Sequence, residues 1–128
     1  MSGQTDLDGL LASITPELVE GVFVFVTRAN REVPAGIHPR MVFEEAEGTT
    51  LIVLKVEAEA AGMDYEFPCR MITLSVHSSL SAIGFMARIT NELARHGISV
   101  NPVSGYYHDH LFVPEARAGE ALQILSAL

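Results

Sequence analysis

The side chains in this 128-residue chain with the chemistry to bind or react are few: five histidines, one cysteine and a scatter of serines and carboxylates. The densest polar cluster is Tyr106-Tyr107-His108-Asp109-His110. A His-x-His spacing in a strand puts both imidazoles on one face, a geometry metals use. Two histidines supply too few ligands, and Asp109 points the other way in a continuing strand, so a hydrogen-bonded hairpin corner is the plainer reading. A metal site at His108 and His110 would need a third ligand, for which His77 is the candidate. Cys69 has no nucleophile signature around it and is expected in the core. Ser75, Ser78 and Ser79 lack a Gly-x-Ser-x-Gly elbow, and no phosphate-binding loop or dinucleotide fingerprint occurs. The acidic run Glu44, Glu45, Glu47 reads as a solvated strand end and turn more readily than as a cation site. No catalytic constellation assembles, so neither an enzyme nor a cofactor is expected.

The sharper candidate is His77-Ser78-Ser79-Leu80, which the pattern places between a strand and a helix. The first N–H groups of a helix have no intrahelical partner, and with the helix dipole they form a site for a carboxylate. Ser78 or Ser79 reads equally well as the N-cap, and both roles can hold together. Asn101 starts a later strand, where its amide either reads a ligand's polar groups or stabilises a turn. The expected ligand set is His77, Ser78, Ser79, Leu80 and Asn101.

The elements that must position these groups follow from hydrophobic period and punctuation. Asp6 to Ile14 predicts a short helix, and Gly21 to Thr27 a buried strand. Arg28 to Arg40, with Pro34, Gly36 and Pro39, predicts a long loop. Met41 to Ala46 and Thr49 to Val53 predict a hairpin turned at Glu47-Gly48, and Lys55 to Gly62 a short helix. In the second half the order is strand 70–76, helix 80–96, strands 98–105 and 110–113, then helix 115–127. The middle helix carries a predicted apolar stripe of Leu80, Ile83, Ala87, Thr90 and Ala94, flanked by Met86 and Leu93. Phe23, Phe25 and Phe43 are assigned to the core. Right-handed crossovers make this an α+β fold, an antiparallel sheet with helices on one face. The closing strand of a βαββαβ unit is missing, and 22–27 is the candidate for it. Two related halves are expected, a degenerate 1–66 and a fuller 67–128.

Composition narrows the partners. Hydrophobic residues make up 48% of the chain, ample for one compact core. A net charge of -8 repels phosphate backbones and anionic lipid headgroups, so neither nucleic acid nor membrane is expected. No apolar run approaches the roughly 20 residues needed to cross a bilayer. One cysteine forms no internal disulfide, and Met1 to Asp8 does not read as a signal peptide, so the cytoplasm is the expectation.

The segment Ile72-Thr-Leu-Ser-Val-His77-Ser-Ser-Leu80, continuing through His96-Gly-Ile-Ser-Val-Asn101 to Tyr106-Tyr-His-Asp-His110-Leu-Phe-Val-Pro114, resembles ACT-domain proteins. With Glu44-Glu45-Ala46-Glu47-Gly48-Thr49-Thr50-Leu51 in the first half, the chain is similar to small bacterial tandem-ACT proteins, and the likeness spans almost its whole length. The resemblance implies a ferredoxin-like regulatory fold that binds an amino acid between ACT units, with ligand contacts in the loop after the first strand, here His77-Ser78-Ser79. It implies as partners a small-molecule ligand and a second copy, in a homodimer or other homo-oligomer. This loop departs from the family pattern in having neither an acidic residue nor a Pro-Gly pair.

Overall fold

The computed structural model describes residues 6–128. In chain order the elements are α1 (Leu7–Ser13), β1 (Pro16–Leu18), β2 (Phe23–Arg28), β3 (Met41–Glu44), β4 (Thr49–Leu54), α2 (Lys55–Ala60), β5 (Glu66–Leu74), α3 (Phe85–Arg95), β6 (Asn101–Ser104), β7 (Asp109–Pro114) and, after one 3-10 turn (Glu115–Arg117), α4 (Ala118–Ser126). Packing divides them into two compact units. One is Gly21–Cys69; the other joins the described residues up to Glu20 to Arg70–Leu128.

In the Gly21–Cys69 unit the strand order is β3-β4-β2-β5, and the printed pairings are antiparallel. Its core is Val24, Val26, Leu51 and Val53 from the strands, closed by Ile37, Ala58 and Met63. Burying each such aliphatic side chain stabilises the fold by about 1.5–3 kcal/mol relative to exposure. The expected hairpin is present: Glu45 N–H donates to Gly48 O at 2.9 Å and Gly48 N–H returns to Glu45 O at 3.3 Å. Gly48 is required there, because a Cβ would sit 2.8 Å from the Arg28 carbonyl oxygen. Where the sequence predicts Phe43 in the core, the structure leaves it 61% exposed. It lies on β3, the outermost strand of the unit, where no further strand covers it.

The other unit orders its strands β1-β5-β7-β6. Its core joins Leu10 of α1 to Ile72 and Leu74 of β5, Phe85, Ile89 and Leu93 of α3, Leu111 and Val113 of β7, and Leu125 of α4. The fourth strand of this unit is β1, a three-residue segment for which the sequence predicts only a helix stop. It pairs antiparallel with β5, Pro16 opposite Leu74 and Leu18 opposite Ile72. A strand this short has too little alternation to be read from its sequence. Numbered from the first strand of each unit, both orders are 4-1-3-2, the ferredoxin-like arrangement.

Helix α3 differs from expectation in both start and phase. It begins at Phe85, with Gly84 in the left-handed conformation before it (φ 86°) and no side-chain cap. Its buried positions are Phe85, Ile89 and Leu93, an i, i+4, i+8 stripe one face away from the predicted one. Leu80 and Ile83 lie outside the helix and are exposed, as are Ala87 and Ala94. The longer apolar side chains win the core face. Among the described residues no helix is long and apolar enough to cross a membrane.

Candidate functional site

The segment from Ser75 to Gly84, between β5 and α3, walls a cavity of about 130 Å³. Ser78, Ser79, Leu80 and Ala82 line it from the loop, Phe85 and Met86 from the first turn of α3, and Ser104 and Asp109 from β6 and β7. The loop is shaped by its own backbone and hydroxyls. Ser78 N–H donates to Val76 O at 3.0 Å, Ser79 Oγ accepts from Ser81 N–H at 3.1 Å, and Ser79 O accepts from Ala82 N–H at 3.0 Å. Because Gly84 offers no side chain, the first N–H groups of α3 have no side-chain cap beside this cavity.

Asp109 is the polar centre of the cavity wall. It is 7% exposed, and its two carboxylate oxygens take different partners: Ser78 Oγ–H donates to one at 2.9 Å and Ser104 Oγ–H to the other at 2.6 Å. The Ser104 contact is cross-strand, between directly paired residues of β6 and β7. Asp109 is buried because it sits in phase with Leu111 and Val113, whose side chains face the core. No lysine or arginine pairs with it among the described residues.

Of the predicted ligand set, Ser78, Ser79 and Leu80 line one cavity. Ser78 spends its hydroxyl on Asp109, and Ser79 on the loop rather than on the helix start. His77 faces the Tyr107 ring, centroids 5.5 Å apart, and Asn101 lies exposed at the far end of β6 from Ser104. Neither is among the lining residues. His110 Nδ1 lies 2.9 Å from Thr73 Oγ1, while His108 Nδ1 is buried with no hydrogen-bond partner. No group of three or more histidine, cysteine, aspartate or glutamate side chains among the described residues is arranged to hold a metal ion.

Cys69 is fully buried, its thiol donating to Phe23 O at 3.3 Å, and burial pushes its pKa up to about 12. A thiol so held is almost wholly protonated at neutral pH and is a poor nucleophile. The acidic run is also accounted for locally. Arg31 donates to Glu44 Oε2 at 3.1 Å and to the Glu45 and Ala46 carbonyls at 2.8 and 3.1 Å, while the Thr49 and Thr50 hydroxyls donate to Glu44 and Glu45.

Sequence reasoning missed Asp109 as a cavity residue, having weighed it only as a neighbour of two histidines. Strand alternation carried the signal: an aspartate in phase with Leu111 and Val113 must be buried, and a buried carboxylate requires partners.

Two-layer packing of this strand order defines the class, and the sequence comparisons agree with it. The ACT-domain pattern matches residues 2–70, and a second ACT-domain pattern matches residues 66–127. The chain belongs to the ACT-domain family. It is 40% identical to a Vibrio cholerae protein of unknown function, named as a possible transport protein; the match covers 92% of this chain and 91% of that one, with a TM-score of 0.83. The ligand-free regulatory subunit of aspartate kinase from Thermus thermophilus shares the fold at 12% identity, with a TM-score of 0.67 over 90% of this chain and 95% of that one. A protein from Agobacterium tumefaciens does so at 15% identity and a TM-score of 0.70, over 89% of this chain and 87% of that one. No curated protein matches the chain.

Proposed function

We propose that this protein is a non-catalytic regulatory module that binds an amino acid or similar small carboxylate in the cavity between the Ser75–Gly84 loop, α3 and the β6–β7 hairpin. The observation that carries the reading is that cavity of about 130 Å³, set beside helix N–H groups that no side chain caps. A carboxylate placed there completes the hydrogen bonding of the helix start and meets the positive end of its dipole. Membership of the ACT-domain family and the likeness to an aspartate kinase regulatory subunit support a regulatory role over a catalytic one. A ligand that binds one state of an assembly preferentially stabilises that state by linkage, which is how such a module would regulate. The division into a 1–66 half and a 67–128 half, and a cytoplasmic setting, belong to the same proposal; the matched spans 2–70 and 66–127 support the first. A thermal-shift screen of the twenty amino acids tests it. Stabilisation by one or a few at millimolar concentration is expected, and no stabilisation of the folded protein by any of them would overturn it.

A second reading, self-association without a ligand, is favoured by the exposed apolar side chains Leu80, Ile83, Tyr106 and Tyr107. Exposed apolar groups gathered in one region mark association surfaces. Mass measurement in solution separates the two: an oligomer whose stability ignores every amino acid supports this second reading.

A further inference from the structure

We infer that Asp109 sets the ligand specificity of this cavity: it receives the protonated amine of a small zwitterion, an amino acid of about alanine's size, and makes that amine obligatory. The inference rests on the reading of the cavity as a ligand site and adds the chemical class of the ligand and the residue that selects it.

The argument begins with the cost of burying a carboxylate. Asp109 is 7% exposed, and a buried charge is tolerated when it is paired and hydrogen-bonded. Two serine hydroxyls satisfy part of the requirement. A carboxylate has about four acceptor sites, so roughly half remain, and none meets a lysine or arginine of the described chain. A negative group with unused acceptor capacity in the wall of a cavity calls for a cation carrying N–H donors.

The same chain shows the alternative at the matching position. Ser104 and Asp109 are the paired residues at the turn end of β6–β7, and Glu44 and Thr49 are the paired residues at the turn end of β3–β4, each closing a four-pair ladder. In both, a hydroxyl donates across the pair to a carboxylate. In the Gly21–Cys69 unit the carboxylate is on the outer strand, exposed, and the cation is built in: Arg31, 3.1 Å away, from the loop after β2. In the other unit the carboxylate has moved to the inner strand, and the loop after β5 contributes Ser78 in place of a cation. The position that Arg31 fills in one unit is therefore left for a ligand in the other.

Size and polarity fix the class. An apolar cavity of roughly 150 Å³ accommodates a molecule of about six non-hydrogen atoms. At about 130 Å³ this one fits a molecule no larger than that. With uncapped helix N–H groups in the same wall, it suits a carboxylate at one end and an ammonium at the other.

The test is calorimetric titration of the full chain with three probes: L-alanine, propionate, which lacks the amine, and ethylamine, which lacks the carboxylate. A hydrogen bond to a charged partner makes alanine bind the wild type about ten- to a hundredfold tighter than propionate. Asp109→Asn, which keeps the shape and an acceptor, is expected to bring that preference to about threefold or less. Ser104→Ala, which removes a hydroxyl and leaves the charge, should preserve it. Equal binding of alanine and propionate by the wild type overturns the inference without any variant, as does an Asp109→Asn protein that keeps the full preference; the ligand reading survives either. If alanine fails but a larger amino acid stabilises the protein in the twenty-compound screen, the size argument and this inference fall and the ligand reading stands. If nothing binds, both fall.

Discussion

The two units of this chain are variations on one plan, and their differences are chemical rather than topological. Each orders its strands 4-1-3-2, and each carries a two-stranded ladder of four residue pairs between its second and third strands. Register makes Thr49 the counterpart of Asp109, Thr50 of His110, Leu51 of Leu111 and Val53 of Val113. The core positions have kept their character, and the positions at the turn have exchanged theirs. After the first strand the units part: one continues through a loop into α3, packed by Phe85, Ile89 and Leu93, while the other has the loop of residues 29–40, held by Ile37 and by His38. One plan thus tolerates either an apolar helix or a polar tether over the same part of the sheet, and only the first leaves a buried carboxylate without a cation.

The comparison is tested hardest by asking which unit a residue supports. Leu10 lies early in the sequence, yet it is fully buried in the core that contains Ile89 and Leu125. Leu10→Asp places an unpaired charge there, and the expected loss is about 4 kcal/mol or more, at the severe end for a single substitution. The check is amide hydrogen exchange read by unit: protection across residues 85–95 collapses, while residues 49–54 keep theirs. Equal loss in both regions would mean that the units share one cooperative transition, and loss confined to 49–54 would contradict the packing.

A smaller effect separates the two hairpin ends. Asp109→Ala leaves the Ser78 and Ser104 hydroxyls without their acceptor, and the expected cost is about 1–3 kcal/mol in urea unfolding, independent of salt. Arg31→Met removes a cation from an exposed pair, so its cost is smaller and shrinks as salt is added. Matching, salt-sensitive losses would erase the distinction between a buried and a solvated carboxylate on which the contrast depends.

The repeating plan was legible in the sequence to the extent that it is carried by period. Alternation and turn residues give β2, the β3–β4 hairpin and β7, because these strands run four to six residues and bury one face. β1 was not legible: Pro16–Leu18 becomes a strand only because β5 offers it a partner. The start of α3 was misplaced for a similar reason. Leu80 and Ile83 continue an apparent helical stripe, and what stops the helix is Gly84 in a left-handed conformation, which sequence reading passed over. At the candidate site, Ser78, Ser79 and Leu80 were found because the segment between a strand and a helix is a general anion position. Asp109 was not, since its partners Ser78 and Ser104 are 31 and 5 residues away and meet it only through strand pairing.

The weakest expected effect concerns the polar tether. Glu57 of α2 accepts from the His38 backbone N–H at 3.0 Å through one oxygen and faces His38 Nδ1 at 3.1 Å with the other. The His38 backbone N–H, and then its ring, hold the Glu57 pKa below the ordinary 4.5. A carboxyl whose folded pKa is depressed contributes stability that is present above its unfolded pKa and is lost as pH falls through the folded value. The contribution of Glu57 is therefore whole at neutral pH and fades below about 4.5. Glu57→Gln should lower the melting temperature slightly at neutral pH, and the gap to wild type should close in acid. In the wild type, the His38 amide should gain exchange on acidification relative to the reference rate, while the amides of α3, whose buried face is Phe85, Ile89 and Leu93, should not. A gap that stays constant into acid, or α3 loosening together with the tether, would show that the loop after β2 is held by apolar contacts such as that of Ile37 and that the two units differ less than their side chains suggest.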